Sequence, residues 1–278
     1  ALAQTWRNLE IVVGDDSPGP EIEAIARSRA GAIPIRYERN PVRLRTRGNC
    51  VRCFERADGE FVKFLNDDDL LAPACVETLL DAFRASPEVT LATSCRALVD
   101  ENGTVLPDTP STMPILGETR LVAGHSLANT MIGAGLNVVG EPSTALFRKA
   151  DLADQAPDYF RFDDVVGLGI VDMVSWAALL LRGDAVYFAE RLSAFRAHDE
   201  HDYAPGAGSR AVASIRSLQA AWLPLGIFGL LPPDLLVTRS WPPRERDEWR
   251  LEQVLSFVPR AATPEARLAA WRAGRAAD

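Results

Sequence analysis

The sequence is short of the residues that staple secreted folds or recruit soft metals, with four cysteines and three histidines among 278 residues. The cysteines (Cys50, Cys53, Cys75 and Cys95) all fall in the first hundred positions. They are too few and too clustered for a disulfide framework, so a reduced, cytoplasmic setting is expected. Long apolar runs are missing too. Residues 167–181 are broken by Asp172, and residues 222–237 carry Pro224, Pro232, Pro233 and Asp234. Nothing therefore reaches the roughly 18 apolar residues that a membrane helix needs, and no stretch reads as a signal peptide. Basic excess is absent: 38 acidic against 30 basic side chains leave a net charge of -8, which argues against non-specific nucleic-acid binding. There is no internal repeat and no low-complexity segment. What is present, 47% hydrophobic and 24% charged residues, is ordinary for a globular chain with a substantial core.

Along the chain, residues 1–8 read as the tail of a helix. Residues 9–13 (LEIVV) read as a strand that stops at Gly14, Asp15, Asp16 and Ser17. Pro18 and Pro20 introduce a helix over 21–29, and a second strand follows at 33–37. Residues 40–48 form a basic loop with Arg43, Arg45 and Arg47, and a helix over 49–57 leads through Asp58-Gly59 to the apolar run at 61–65. A helix at 74–85, a strand at 89–99 and an Asn102-Gly103 turn come next. Pro107, Pro110 and Pro114 mark an extended loop. Residues 119–132 read as helix, 143–147 as strand, 167–182 as an apolar helix, and 185–188 and 192–197 as two extended pieces. From 209 onward the pattern is helical with proline breaks. This alternation predicts an α/β fold: a mostly parallel sheet flanked by helices, with a helical C-terminal extension.

The stretch FVKFLNDDDLLAP, residues 61–73, carries the chemistry. Its apolar run ends at three adjacent carboxylates, Asp67, Asp68 and Asp69, which repel one another unless a cation or a set of donors offsets the charge. A hard cation such as Mg2+ or Mn2+ suits oxygen ligands and usually adds water and phosphate to its shell. Ligands of open α/β sheets sit beyond the carboxyl ends of the strands, where this triplet falls. The alternative is an acidic cap on the helix that begins near Pro73. Cys50 and Cys53 form a CxxC without a second close pair for zinc, and at helical spacing they read as packing residues. Trp222, Trp241, Trp249 and Trp271 read as core or interface residues.

Six segments in order resemble family 2 glycosyltransferases of the GT-A, nucleotide-diphospho-sugar transferase fold. They are AQTWRNLEIVVGDDSPG from Ala3, the basic loop to RGN at 47–49, ADGEFVKFLNDDDLLAP from Ala57, STALFRKADL from Ser143, GIVDMVSWAALLLRGDAVYF from Gly169 and LSAFRAH from Leu192. The resemblance implies a metal-dependent, inverting transfer of a sugar from a nucleoside-diphosphate sugar, with a UDP-sugar favoured, to a saccharide, lipid-linked or other hydroxyl acceptor. It implies that Asp15 and Asp16 receive the base and ribose, that Arg47 approaches the pyrophosphate, and that Asp67 and Asp68 form the DXD-type element. In that element Asp67 lies near the ribose and Asp68 binds Mn2+ or Mg2+. Asn66 stands where relatives often have aspartate. Asp172 corresponds to the catalytic base, and His198, with His201 three residues on, to a histidine reaching back to the metal.

The implied layout is a GT-A domain over 1–205, split into a nucleotide-sugar half (1–100) and an acceptor half (101–205), with residues 206–278 as the extension. That extension would cover the acceptor site, dock another domain or mediate self-association. A lipid acceptor would bring the protein to a membrane surface peripherally. Two other readings remain open: a nucleotidyltransferase on the same fold, whose phosphate loop is not found here, and a non-catalytic scaffold that kept the fold. The match begins inside the family's first helix, and a chain without the strand that usually precedes it would leave one strand position open.

Overall fold

The computed structural model describes residues 1–167, 169–197, 207–223, 235–245 and 247–253. Its elements run β1 (Ile11–Asp15), α1 (Glu21–Ser28), β2 (Ile35–Arg39), α2 (Arg45–Arg56), β3 (Phe61–Val62), β4 (Leu70–Leu71) and α3 (Cys75–Ala85). There follow β5 (Val89–Val99), β6 (Arg120–Val122), α4 (Gly124–Ala134), β7 (Leu146–Arg148), a 3-10 turn (Lys149–Gln155), α5 (Val171–Arg182) and β8 (Asp184–Arg196). Last come α6 (Ala207–Trp222), β9 (Leu235–Ser240) and β10 (Arg250–Gln253).

The long strands β5 and β8 pair in parallel and anchor an eight-stranded sheet ordered β10-β9-β6-β8-β5-β7-β3, with β4 joined to β8. Side chains alternate across it as strand geometry requires. Leu91, Val122, Phe147, Ala185 and Tyr187 face the core under α4, α5 and α6, while Ala92, Leu121, Leu146, Val186 and Phe188 face the core that holds Leu79 and Leu80 of α3. With both faces covered, β5 is buried almost throughout, including its polar Thr90, Thr93, Ser94 and Arg96. Gly124 starts α4 where a Cβ would lie 1.9 Å from the Gly183 carbonyl oxygen, so a side chain there would force the two segments apart.

The α/β class is as expected, and several elements differ in detail. Among the described ladders only β1–β2 and β5–β8 are parallel, so the sheet is mixed rather than mostly parallel. Residues 1–8 are not helical. Gln4 there is buried, donating to the Ala72 carbonyl at 2.8 Å and accepting from the Val76 N–H at 2.9 Å. The helix expected over 119–132 is preceded by β6, because Leu121 and Val122 must point to opposite cores. The two pieces at 185–188 and 192–197 are one strand, β8, that carries exposed polar residues at its middle. The C-terminal stretch is helical over α6, but β9 and β10 extend the main sheet through β6, so the sheet crosses the boundary expected at 205/206.

β1 and β2 form a separate two-stranded sheet. Among described residues β1 has a ladder partner only in β2, and β3 only in β7. Between them lies a cleft of about 2520 Å3 lined by residues 11–16 and 61–67.

Candidate functional site

Asp15, Asp16, Arg47, Asp67 and Asp172 all line this one cleft. At its β1 end the carboxylates are heavily engaged. Asp15 is buried and accepts from the Ser17 N–H at 2.8 Å and the Tyr37 hydroxyl at 2.6 Å. Asp16 accepts from Asn40 Nδ2 at 2.6 Å and from the N–H groups of Leu44 and Arg45 at 3.1 and 2.7 Å. Because Leu44 offers no cap of its own, Asp16 satisfies the open donors at the start of α2 from across the chain. Partial burial disfavours both charges, yet these donors prevail and hold both carboxyls below the usual range. Asn40 and Asn49 complete the knot: Asn40 donates to Asn49 Oδ1 at 2.8 Å, and Asn49 donates to the Gly14 carbonyl at 2.9 Å.

Arg47 is half-buried on α2. Its guanidinium donates to the Asp158 carboxylate and, at 2.8 Å, to the Tyr159 carbonyl, so it ties α2 to that loop.

The acidic triplet divides by burial. Asp67 is exposed, Asp68 is half-buried and not among the lining residues, and Asp69 is buried. Asp69 accepts from Asn66 Nδ2 at 3.0 Å and from the Arg196 N–H at 3.2 Å, and burial pushes its carboxyl up. Asn66 therefore has a local role, as a neutral donor to a buried acid where a second carboxylate would repel it. The remaining donors, Asp67 and Asp68, are hard oxygens, and they suit a cation that completes its shell with phosphate and water. Among the described residues no three His, Cys, Asp or Glu side chains converge into a full protein cage. His198 and His201 lie outside the described residues. Cys50 and Cys53 are half-buried free thiols, with Cys50 pushed up to about 12 by burial.

Asp172 sits in the first turn of α5. Its Oδ1 accepts from the Met173 N–H at 2.8 Å and its Oδ2 from Asn137 Nδ2 at 2.6 Å. Although it opens to the cleft, packing removes most water from the carboxyl. This desolvation pushes its pKa up to about 6; the Met173 N–H opposes the shift and the nearby Glu141 adds to it. A carboxyl poised near neutrality can take a proton from a hydroxyl and give it up again. Sequence reasoning missed Asn137, Arg96 and Glu141, which surround it. The one local signal, an Asn three residues before a glycine, is shared by many ordinary turns.

A mixed sheet between helices, with acids gathered at strand ends on one cleft, defines a GT-A glycosyltransferase fold. S. aureus TarS matches at a TM-score of 0.55 and 16% identity, covering 77% of this chain and 35% of TarS. TarS residues 1–349 in complex with UDP match at 0.56 and 16%, over 82% of this chain and 63% of that one. The glycosyl transferase family 2 profile matches residues 1–151, and the chain belongs to that family. An uncharacterized protein of Mycobacterium tuberculosis (strain CDC 1551 / Oshkosh), MT1568, is 30% identical over 212 residues, 70% of this chain and 60% of its own length. The chain thus spans less than two thirds of the relatives it matches. No helix among the described residues is long and apolar enough to cross a membrane.

Proposed function

We propose that this glycosyltransferase moves a sugar from a nucleoside-diphosphate sugar, a UDP-sugar first, to an acceptor hydroxyl with inversion. The observation that carries this is the meeting of a half-buried carboxyl poised near pH 6 with strand-end acids on one cleft large enough for a nucleotide sugar. UDP bound to the similarly folded TarS supports the choice of base. The acceptor oxygen bonds to the anomeric carbon as the bond to the diphosphate breaks. Its proton passes to Asp172, and the electron pair leaves with the diphosphate. Positioning by the cleft supplies much of the rate. Asp68, with Asp67 beside it and His198 as a further ligand, would hold Mn2+ or Mg2+. Such a cation, when bound, neutralises the leaving diphosphate. Asp15 and Asp16 act first as scaffolding for the nucleotide wall, and Arg47 reaches the pyrophosphate once it leaves Asp158. Residues 1–100 form the donor half and 101–205 the acceptor half.

The test is calorimetric binding of UDP and GDP, with and without Mn2+, to the chain and to Asp68→Ala, followed by donor turnover with Asp172→Asn. Binding that needs both metal and Asp68, with turnover lost in Asp172→Asn, supports the reading. Absence of nucleotide binding by a folded chain would leave a scaffold on the same fold.

A further inference from the structure

We infer that Asn137 is the positioning residue for Asp172, the hinge of a closed hydrogen-bond circuit that aims the carboxyl into the cleft. The inference rests on reading Asp172 as the base. A base needs one lone pair free for the incoming proton while the rest of the carboxylate is held still. Here Oδ1 is held by the Met173 N–H and Oδ2 by Asn137, and the Asp172 backbone N–H also acts on the carboxyl, which still opens to the cleft.

The Asn137 amide is itself fully committed. Its second Nδ2 hydrogen goes to the Gly140 carbonyl at 2.9 Å, and its Oδ1 accepts the Gly140 N–H at 2.9 Å. The opposite amide orientation would set its oxygen against both Asp172 and the Gly140 carbonyl, so the network fixes which atom is which. Gly140 has φ of 112°, a conformation that favours glycine, and its carbonyl also accepts from Trp176 Nε1 at 2.8 Å. Trp176 is one turn beyond Asp172 on α5, so the circuit closes on the same helix. From β5, the buried Arg96 donates to the Asn137 carbonyl at 3.2 Å and pairs with Glu141 at 2.5 Å, which braces the loop from behind.

The charged and titratable groups facing Asp172 are accordingly Glu141 from this loop, Arg96 from β5 and the Cys50 thiol from α2. None of them donates to the carboxylate in the way Asn137 does. A hydrogen bond to the charged form lowers a pKa, so losing this donor must raise that of Asp172. Replacing it with a carboxylate must raise it further, because two acids at this separation share one proton.

The experiment is a carboxyl 13C NMR titration of Asp172 in the full chain, assigned with Asp172→Asn. It compares wild type with Asn137→Ala and with the near-isosteric Asn137→Asp, which can keep the bond from the Gly140 N–H. We expect an upward shift of about one pH unit in Asn137→Ala and more in Asn137→Asp. The acid limb of donor turnover, followed as UDP release from whichever UDP-sugar the wild type turns over, should move with it, with kcat falling and the KM for donor within about twofold. A residue that only stabilised the loop would lower the melting temperature without moving the titration. An Asp172 titration unchanged in folded Asn137→Asp overturns the inference. Full turnover by Asp172→Asn overturns the reading of Asp172 as base while leaving the titration result to stand or fall by itself.

Discussion

Asp15 and Asp16 share one cleft with Asp172 and the same carboxyl chemistry, yet their pKa values are shifted in opposite directions. Asp15 and Asp16 are saturated by backbone, hydroxyl and amide donors and are held below the usual carboxyl range, so they stay ionised and act as fixed structure. Asp172 receives two donors in a desolvated pocket and sits near pH 6, where its charge can change. Donor count against desolvation, rather than residue type, sorts an acid into scaffold or proton carrier.

The sharpest way to break this comparison is to neutralise each end in turn. Asp172→Asn should reduce sugar transfer by about 10²- to 10⁴-fold while preserving nucleotide binding, as scored by steady-state turnover and calorimetry. Asp16→Ala should do the reverse, with the primary loss in stability, about 1–3 kcal/mol by urea denaturation at pH 7, since three donors lose their acceptor. The signs with pH also differ. Asp172 has a raised folded pKa, so the stability contributed by its protonated form is complete below its ordinary value of 3.8 and is lost as pH rises through about 6. Asp172→Asn should therefore match wild type near pH 4 and exceed it by up to about 3 kcal/mol well above pH 6, at about 1.4 kcal/mol for each unit of the shift. For Asp16, with a lowered folded pKa, the contribution is present above the ordinary carboxyl value and disappears as pH falls through the depressed one. Melts of Asp16→Asn and wild type should converge in strong acid.

Smaller effects sharpen the middle of the cleft. Asn66→Asp would set a second charge against buried Asp69, and about 1 kcal/mol of stability should be lost at pH 7 and partly regained as the pH is lowered, because burial already pushes the Asp69 carboxyl up. Least of all, Asp158→Ala should change stability by under about 0.5 kcal/mol, because that partner of Arg47 is exposed. It should nonetheless tighten UDP binding severalfold by releasing the guanidinium toward the cleft.

What could be read beforehand follows the range of the forces involved. The bounds of β5 are those expected, because a strand buried on both faces announces itself in consecutive residues. β8 was divided because Glu190 and Arg191 interrupt its apolar pattern while its ladder with β5 continues through bulges. Asp172 and Asp67 were legible from local context and resemblance, and both reach the cleft. Missed were the pairings that span the chain: Asp16 with the α2 backbone 28 and 29 residues on, and Asn137 with Asp172 35 residues on. Nothing within a short window distinguishes an asparagine that holds a distant carboxylate from one that merely turns the chain. Asp69 illustrates the converse: three equal letters in a row gave no sign that the third alone would be buried.

The parallel ladder between β5 and β8 joins segments nearly a hundred residues apart, with α5 leading directly into β8. Closing so long a loop is slow and entropically uphill until the ladder forms. The groups that seat the Asp172 carboxyl, Met173, Asn137 and the loop to Glu141 with Arg96 behind it, all precede β8, so the pocket of the carboxyl is encoded before the strand that completes the sheet.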